Sequence, residues 1–185
     1  MSAIDTIKNQ IPEYAKDLKL NLSSMFNPEN LSEEQIYGIA LACAATARND
    51  DLLQAIYTDA LDVLSETHLN AALTATSIMG MNNVYYRFLH LVSDKEYEKM
   101  PAKLRMNGIM NHGIEKVDFE LYALAVSSIN GCGMCMDSHA AVLINHGVSK
   151  PQIQDAIRIA AIIKGVADAL YTNHIITKAE KENAA

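Results

Sequence analysis

The chain has 185 residues, enough for one compact domain that buries a sizeable core without disulfide cross-links. Half of the residues are apolar and a fifth are charged, which excludes an intrinsically disordered chain. The net charge of -7, with no basic run, argues against nucleic acid as a partner, and no stretch is apolar enough for a signal peptide or a membrane span, so we expect a cytoplasmic protein.

The capping residues and glycines of the sequence predict helices throughout, and no run alternates apolar and polar residues convincingly enough for a strand. Residues 32–35 and 149–152 are capping boxes, in which a serine is answered by a glutamine three positions later, and each predicts the start of a helix. Residues 111–113 and 145–147, both Asn-His-Gly, are typical of helix ends because glycine readily adopts the left-handed conformation. The predicted fold class is all-α.

An internal repeat emerges when the sequence is shifted along itself by 85 positions. The coinciding pairs are Tyr37 with Tyr122, Ala40 with Ala125, Ala71 with Ala156, Gly80 with Gly165, and Tyr86 with Tyr171. We interpret this as a diverged duplication; chance pairing among alanine-rich helices is the alternative. The expected organisation is a single domain over residues 1–185, with a non-catalytic half at approximately 20–100 and a catalytic half at approximately 101–180.

Two cysteines separated by two residues are the main chemical feature of the second half. Asn130 and Gly131 favour a helix start, which would place Cys132 in the first turn, where free N–H groups and the helix dipole favour a thiolate. Cys135 follows one turn later, and His139 one turn after that on the same face. Such a set can activate a thiol, react with a peroxide and close a disulfide.

Other interpretations of the cysteine pair are weaker. A zinc site needs four ligands, and only His139 lies near the pair in sequence. Haem attachment requires a histidine directly after the second cysteine, where this chain has Met136. A thioredoxin-like fold places its pair after a buried strand, whereas residues 118–129 favour a helix. We therefore expect no metal and no bound cofactor, and we expect Cys43, in an alanine-rich helical run, to fill the core.

Glu120 lies twelve residues before Cys132, in an otherwise apolar segment with Asp118 as its expected N-cap. Taken alone, it is more simply an acidic residue that suits the helix dipole than a functional one. The histidines at the two predicted helix ends, His112 and His146, are expected to be helix-terminal residues without a catalytic role.

A longer pattern joins these residues: it comprises residues 119–121, 125–127 and 129–132, together with Cys135 and His139. With the spacing Glu-x11-Cys-x2-Cys-x3-His, the chain resembles the AhpD alkyl hydroperoxidases of the carboxymuconolactone decarboxylase-like superfamily over most of its length.

The resemblance implies an internally duplicated helical domain of the AhpD-like type and a role for each site residue. Cys135 would be the peroxidatic cysteine that becomes a sulfenic acid. Cys132 would be the proton donor and resolving cysteine, which forms the disulfide with Cys135. His139 and Glu120 would form the proton relay that activates the thiols.

The resemblance also implies the setting of an antioxidant alkyl hydroperoxide reductase. Its electrons would come from the lipoyl group of a 2-oxo acid dehydrogenase component, it could reduce an AhpC-type peroxiredoxin, and it would form a homotrimer. Met134 is a departure, since some members carry a histidine there. Two alternatives stay open: a thiol–disulfide reductase that serves a peroxiredoxin with little direct peroxidase activity, and a non-enzymatic redox sensor. Decarboxylation, as in other members of the superfamily, is a minor interpretation because it does not depend on a redox cysteine pair.

Overall fold

The computed structural model describes residues 2–27 and 29–184, which form eight α-helices and no strand. The helices are α1 (Ala3–Gln10), α2 (Lys16–Ser24), α3 (Glu33–Ala47), α4 (Asp50–Ala60), α5 (Glu66–Leu91), α6 (Lys116–Ile129), α7 (Gly133–Asn145) and α8 (Lys150–Asn183). Short 3₁₀ turns lie at Glu13–Ala15, Lys95–Lys99 and Asn107–Ile109. The all-α fold class is confirmed. Within these residues, no helix is both long and apolar enough to cross a membrane.

Both predicted capping boxes are present, at the starts of α3 and α8. The predicted helix end at residues 145–147 is also confirmed, because α7 ends at Asn145 and Gly147 follows with φ of 81°. The prediction at residues 111–113 is wrong. Gly113 is left-handed, with φ of 77°, but it lies in the connection that follows a 3₁₀ turn, and no α-helix ends there. A left-handed glycine serves a connection as well as a helix end, so the signal does not distinguish the two.

The start of α6 differs from the sequence prediction. Glu115 is the N-cap, and Asp118 lies inside the first turn. The carboxylate of Asp118 accepts a hydrogen bond from Gln35 Nε2 at 2.8 Å, so a contact with α3 uses the oxygen that a cap would need.

The order of the helices is compatible with a duplication. Helices α3, α4 and α5 have 15, 11 and 26 residues, and α6, α7 and α8 have 14, 13 and 34. In each set a largely buried helix is followed by a short helix and then a long one. The division of the chain near residue 100 remains a prediction.

Helix α6 lies at the centre of the core, in contact with α3, α5, α7 and α8. Its residues Phe119–Ser127 are all buried. At the crossing with α3, a Cβ atom on Gly38 would lie 2.1 Å from the ring of Tyr122, so only glycine permits this approach. Because α6 is enclosed on all sides, the polar side chains it carries are held in fixed positions.

Candidate active site

The turn between α6 and α7 positions the first cysteine. Asn130 closes α6, and Gly131 takes the left-handed conformation with φ of 68°. The N–H groups of Gly131 and Cys132 donate to the carbonyls of Ser128 at 3.2 Å and Ser127 at 3.1 Å, which is a Schellman motif. Cys132 is therefore held directly after α6, in an extended conformation.

Cys132 is the N-cap of α7 rather than a residue of its first turn, which corrects the sequence prediction by one position. The difference arises because the left-handed Gly131 belongs to the end of α6, so the new helix begins only after Cys132. Its Sγ accepts a hydrogen bond from the backbone N–H of Cys135 at 3.3 Å, as the side-chain oxygen of an N-cap residue does. The sulfur thus lies beside the positive end of the helix dipole, which favours a thiolate there.

The two cysteines form a disulfide, with their Cα atoms 5.3 Å apart. Cys132 has no exposed surface, whereas Cys135 keeps 7% of its surface exposed. The third cysteine, Cys43, is free and buried in the core, as predicted. Burial raises the pKa of the Cys43 thiol, which suppresses its reactivity.

His139 and Glu120 form a buried pair beside the disulfide. Nδ1 of His139 lies 2.6 Å from Oε2 of Glu120, and both side chains are largely enclosed. A carboxylate only accepts hydrogen bonds, so the imidazole donates through Nδ1. Nε2 lies 3.3 Å from the Sδ of Met79, which is also only an acceptor. Both ring nitrogens of His139 thus have an acceptor close by, which fixes the orientation of the ring.

A chain of hydrogen bonds fastens the turn after α6 to α5. Nδ2 of Asn83 donates to Ser127 Oγ at 2.9 Å, and Nδ2 of Asn130 donates to Asn83 Oδ1 at 2.9 Å. Arg87 Nη1 donates to the carbonyl of Asn130 at 2.6 Å. These residues brace the backbone that carries Cys132. Sequence reasoning missed Asn83 and Arg87, because nothing local in α5 marks them as partners of residues more than forty positions away.

A cavity of about 250 Å³ gives access to the disulfide. Its lining residues are Asn82, Tyr86, Met106, Ile109, Met134, Cys135, Ser138 and His139. Cys135 and His139 therefore share one enclosed space, while Cys132 lies behind it. Larger depressions elsewhere, such as one of about 440 Å³ beside Asp155, contain no thiol.

Three other histidines have structural surroundings. His146 is the C-cap of α7, as predicted. His112 is not a helix-terminal residue: it lies in the connection before α6 and stacks on the ring of Phe119 with centroids 4.4 Å apart. Burial lowers the pKa of His112, and the nearby Glu120 carboxylate acts in the opposite direction. His68 bonds with Ser65 Oγ at 3.0 Å.

The four predicted site residues thus gather where α6 meets α7. Cys135 and His139 line the same cavity, Cys132 is bonded to Cys135, and Glu120 is hydrogen-bonded to His139. In residues 2–27 and 29–184, no three His, Cys, Asp or Glu side chains are grouped to hold a metal ion.

Comparison with known proteins agrees with the resemblance found in the sequence. Residues 95–178 match the carboxymuconolactone decarboxylase family. The curated relatives include three proteins named alkyl hydroperoxide reductase AhpD, each 54% identical to this chain. The match to the Azorhizobium caulinodans protein covers 91% of this chain and 93% of the relative. The corresponding shares are 89% and 91% for Rhodopseudomonas palustris, and 89% and 94% for Coxiella burnetii.

Proposed function

The chain belongs to the AhpD family of alkyl hydroperoxide reductases, and on that premise we propose that it reduces alkyl hydroperoxides through a dithiol and disulfide cycle of Cys132 and Cys135. One observation carries the proposal: the disulfide lies beside a small cavity that it shares with His139, and His139 is hydrogen-bonded to a buried carboxylate. In the reduced protein, the thiol of Cys135 would share the cavity with a base, His139, and Glu120 would orient that base.

Cys135 is the peroxidatic residue in this proposal. It is the cysteine that lines the cavity, whereas Cys132 has no exposed surface. The Cys135 thiolate attacks the terminal oxygen of the hydroperoxide, the O–O bond breaks, and the alkyl oxygen leaves with the electron pair and takes up a proton to become an alcohol. Cys132 supplies that proton and then attacks the sulfenic sulfur as a thiolate. The disulfide forms as the S–O bond breaks, and the departing hydroxide takes the proton held by His139 and leaves as water.

His139 and Glu120 form the proton relay. The imidazole accepts the proton of the Cys135 thiol, because only the thiolate is nucleophilic. Glu120 fixes the orientation of the ring through the 2.6 Å hydrogen bond and stabilises the imidazolium that forms. The pairing resembles the acid–histidine pairs that activate other nucleophiles.

The burial of the disulfide bears on the electron donor. With 7% of its surface exposed, Cys135 is reached most readily by a long, slender arm that carries a dithiol and can enter the cavity. This supports the lipoyl group of a dehydrogenase component as the reductant, with an AhpC-type peroxiredoxin served through the same pair. It also favours direct reaction with small peroxides over a purely reductase role. Assembly as a homotrimer and a cytoplasmic location complete the proposal.

The proposal is tested by stopped-flow reaction of the reduced protein with tert-butyl hydroperoxide, followed by mass spectrometry of the trapped thiols. Cys132→Ser should accumulate sulfenic acid on Cys135, and Cys135→Ser should be inert. Cys43→Ser, which removes a buried thiol of the core, serves as the matched control and should react like wild type. If neither cysteine of the pair reacts faster than free cysteine, the direct peroxidase function is wrong and disulfide exchange or sensing takes its place.

A further inference from the structure

The side chain of Asn82 is a buried amide without a partner. It lies on α5 with 5% of its surface exposed, and its Oδ1 atom has no hydrogen bond within the described residues. The same side chain lines the cavity that contains Cys135 and His139. A polar group that is enclosed but unpaired next to a reactive thiol is the feature that carries this inference.

The neighbouring Asn83 shows what a structural asparagine looks like in this helix. Its amide is fully engaged, with Nδ2 donating to Ser127 and Oδ1 accepting from Asn130. Buried polar groups in folded proteins are nearly always paired, and an unpaired one destabilises the fold. No hydrogen bond ties the Asn82 amide to a described residue, and a cavity lies against it. Its Oδ1 atom is fully buried, so the NH₂ group is the part of the amide that can donate to a molecule in the cavity.

We propose that the amide of Asn82 binds the hydroperoxide group in front of Cys135, an assignment that rests on the proposed peroxidase function. A hydroperoxide has one O–H donor and two acceptor oxygens, and an amide has one acceptor and two donors. The Asn82 NH₂ group donates to the oxygen that is bonded to carbon.

This arrangement acts on the step in which charge develops. When the Cys135 sulfur bonds to the terminal oxygen and the O–O bond breaks, the electron pair moves to the alkyl oxygen. The Asn82 NH₂ group stabilises the negative charge on that oxygen until protonation gives the alcohol. A fixed donor at such a position is among the stronger sources of transition-state stabilisation.

The rest of the cavity defines the substrate class. Apolar surface is contributed to the same cavity by Met106, Ile109, Met134 and the ring of Tyr86. A volume of about 250 Å³ lies just below the range of roughly 300–1,000 Å³ that holds drug-sized ligands. The site therefore takes short-chain alkyl hydroperoxides, with the alkyl group against the methionines, in preference to hydrogen peroxide.

The test compares Asn82→Leu with wild type. Leucine has a similar size and no polar atoms, so its thermal midpoint should equal or exceed that of wild type. The rate of reaction with tert-butyl hydroperoxide should fall by about 10- to 100-fold. Alkylation of the reduced thiols by iodoacetamide, which needs the thiolate but no peroxide group, should be unchanged. Asn70→Leu, the same substitution at an exposed position of α5, is the matched control.

Each contrary result has a distinct meaning. A parallel loss of alkylation and peroxide reaction in Asn82→Leu would show that the amide tunes the thiol and would overturn the inference. An undiminished peroxide rate would overturn it as well. Asn82→Ala is measured alongside, so that a misfit of leucine is not mistaken for loss of the amide. A wild-type protein that is inert to hydroperoxides would overturn the proposed function itself, and this inference with it.

Discussion

Replacement of Glu120 by glutamine tests the proposed relay because it removes one charge and keeps the shape of the side chain. Glu120 has a single polar partner among the described residues, Nδ1 of His139, at 2.6 Å. Glutamine cannot stabilise the imidazolium by charge, and its NH₂ group can donate to Nδ1, which leaves the proton on Nε2. In that tautomer His139 no longer accepts a proton from the thiol.

The size of the effect follows from the bond that is lost. A hydrogen bond to a charged group contributes about 1.5–3 kcal/mol, and this pair is largely buried. At about 1.4 kcal/mol for each factor of ten, transfer of the Cys135 proton to His139 becomes less favourable by roughly 10- to 150-fold. We expect the peroxide rate at neutral pH to fall by about that factor.

The assay measures iodoacetamide alkylation and tert-butyl hydroperoxide reaction of the reduced protein between about pH 6 and pH 9. Both rates of Glu120→Gln should be low at neutral pH and recover as hydroxide replaces the relay. Asp118→Asn is the matched control, since Asp118 is a second carboxylate of α6 that lies near a histidine, His68, but outside the site. A Glu120→Gln profile that overlies wild type, or a loss that Asp118→Asn shares, would refute the reasoning.

Three further predictions concern stability, measured by urea unfolding. Because burial lowers the pKa of His112, the unfolded chain binds a proton at this histidine more readily than the folded chain does, so stability should fall as pH drops through the ordinary histidine range. His112→Phe should weaken this pH dependence, and an unchanged slope would contradict the prediction. Gly38→Ala should cost about 1–3 kcal/mol through its clash with Tyr122, and wild-type stability would contradict the packing. Asn83→Ala should cost about 1–3 kcal/mol because two polar partners lose their bonds; a neutral effect would show that the brace is unimportant.

The parts of the site that were predictable are those set by neighbours in sequence. Helical periodicity predicts that the two cysteines and His139 lie close together, because they are spaced about one turn apart. The capping boxes mark helix starts that the structure confirms. Glu120 was different. Its local sequence indicated only an acidic residue in a helix, and its partner lies nineteen positions away on another helix. Only the family pattern pointed to its role, because no local rule specifies which faces of two helices meet.

The contributions of α5 were not predictable from the sequence. Met79, Asn82 and Asn83 reach the site from a helix whose residues lie more than forty positions before the cysteines. Their placement depends on how α5 crosses α6, which is set by the packing of many side chains rather than by any motif. A polar residue in an apolar helix indicates that a partner exists, but not where that partner lies.

The corner between α3 and α4 has the same backbone features as the corner that carries the cysteines. Arg48 ends α3 in the left-handed conformation, with φ of 58°, and Asn49 caps α4 by accepting a hydrogen bond from the N–H of Leu52 at 3.0 Å. The corner between α6 and α7 has the same order of features. Gly131 is left-handed, and the sulfur of the next residue, Cys132, accepts a hydrogen bond from the N–H of Cys135, three residues later.

Matching the two corners by their caps gives a shift of 83 positions rather than 85, and it aligns Leu52 with Cys135 and Ile56 with His139. Leu52 and Ile56 are fully buried core residues. At the matching positions, the second corner has a sulfur where the first has the cap oxygen, and it has a thiol and an imidazole where the first has two aliphatic side chains. The chemistry therefore needs no new backbone: a helix cap already aims its acceptor at free N–H groups, and the same geometry serves a sulfur that must become a thiolate.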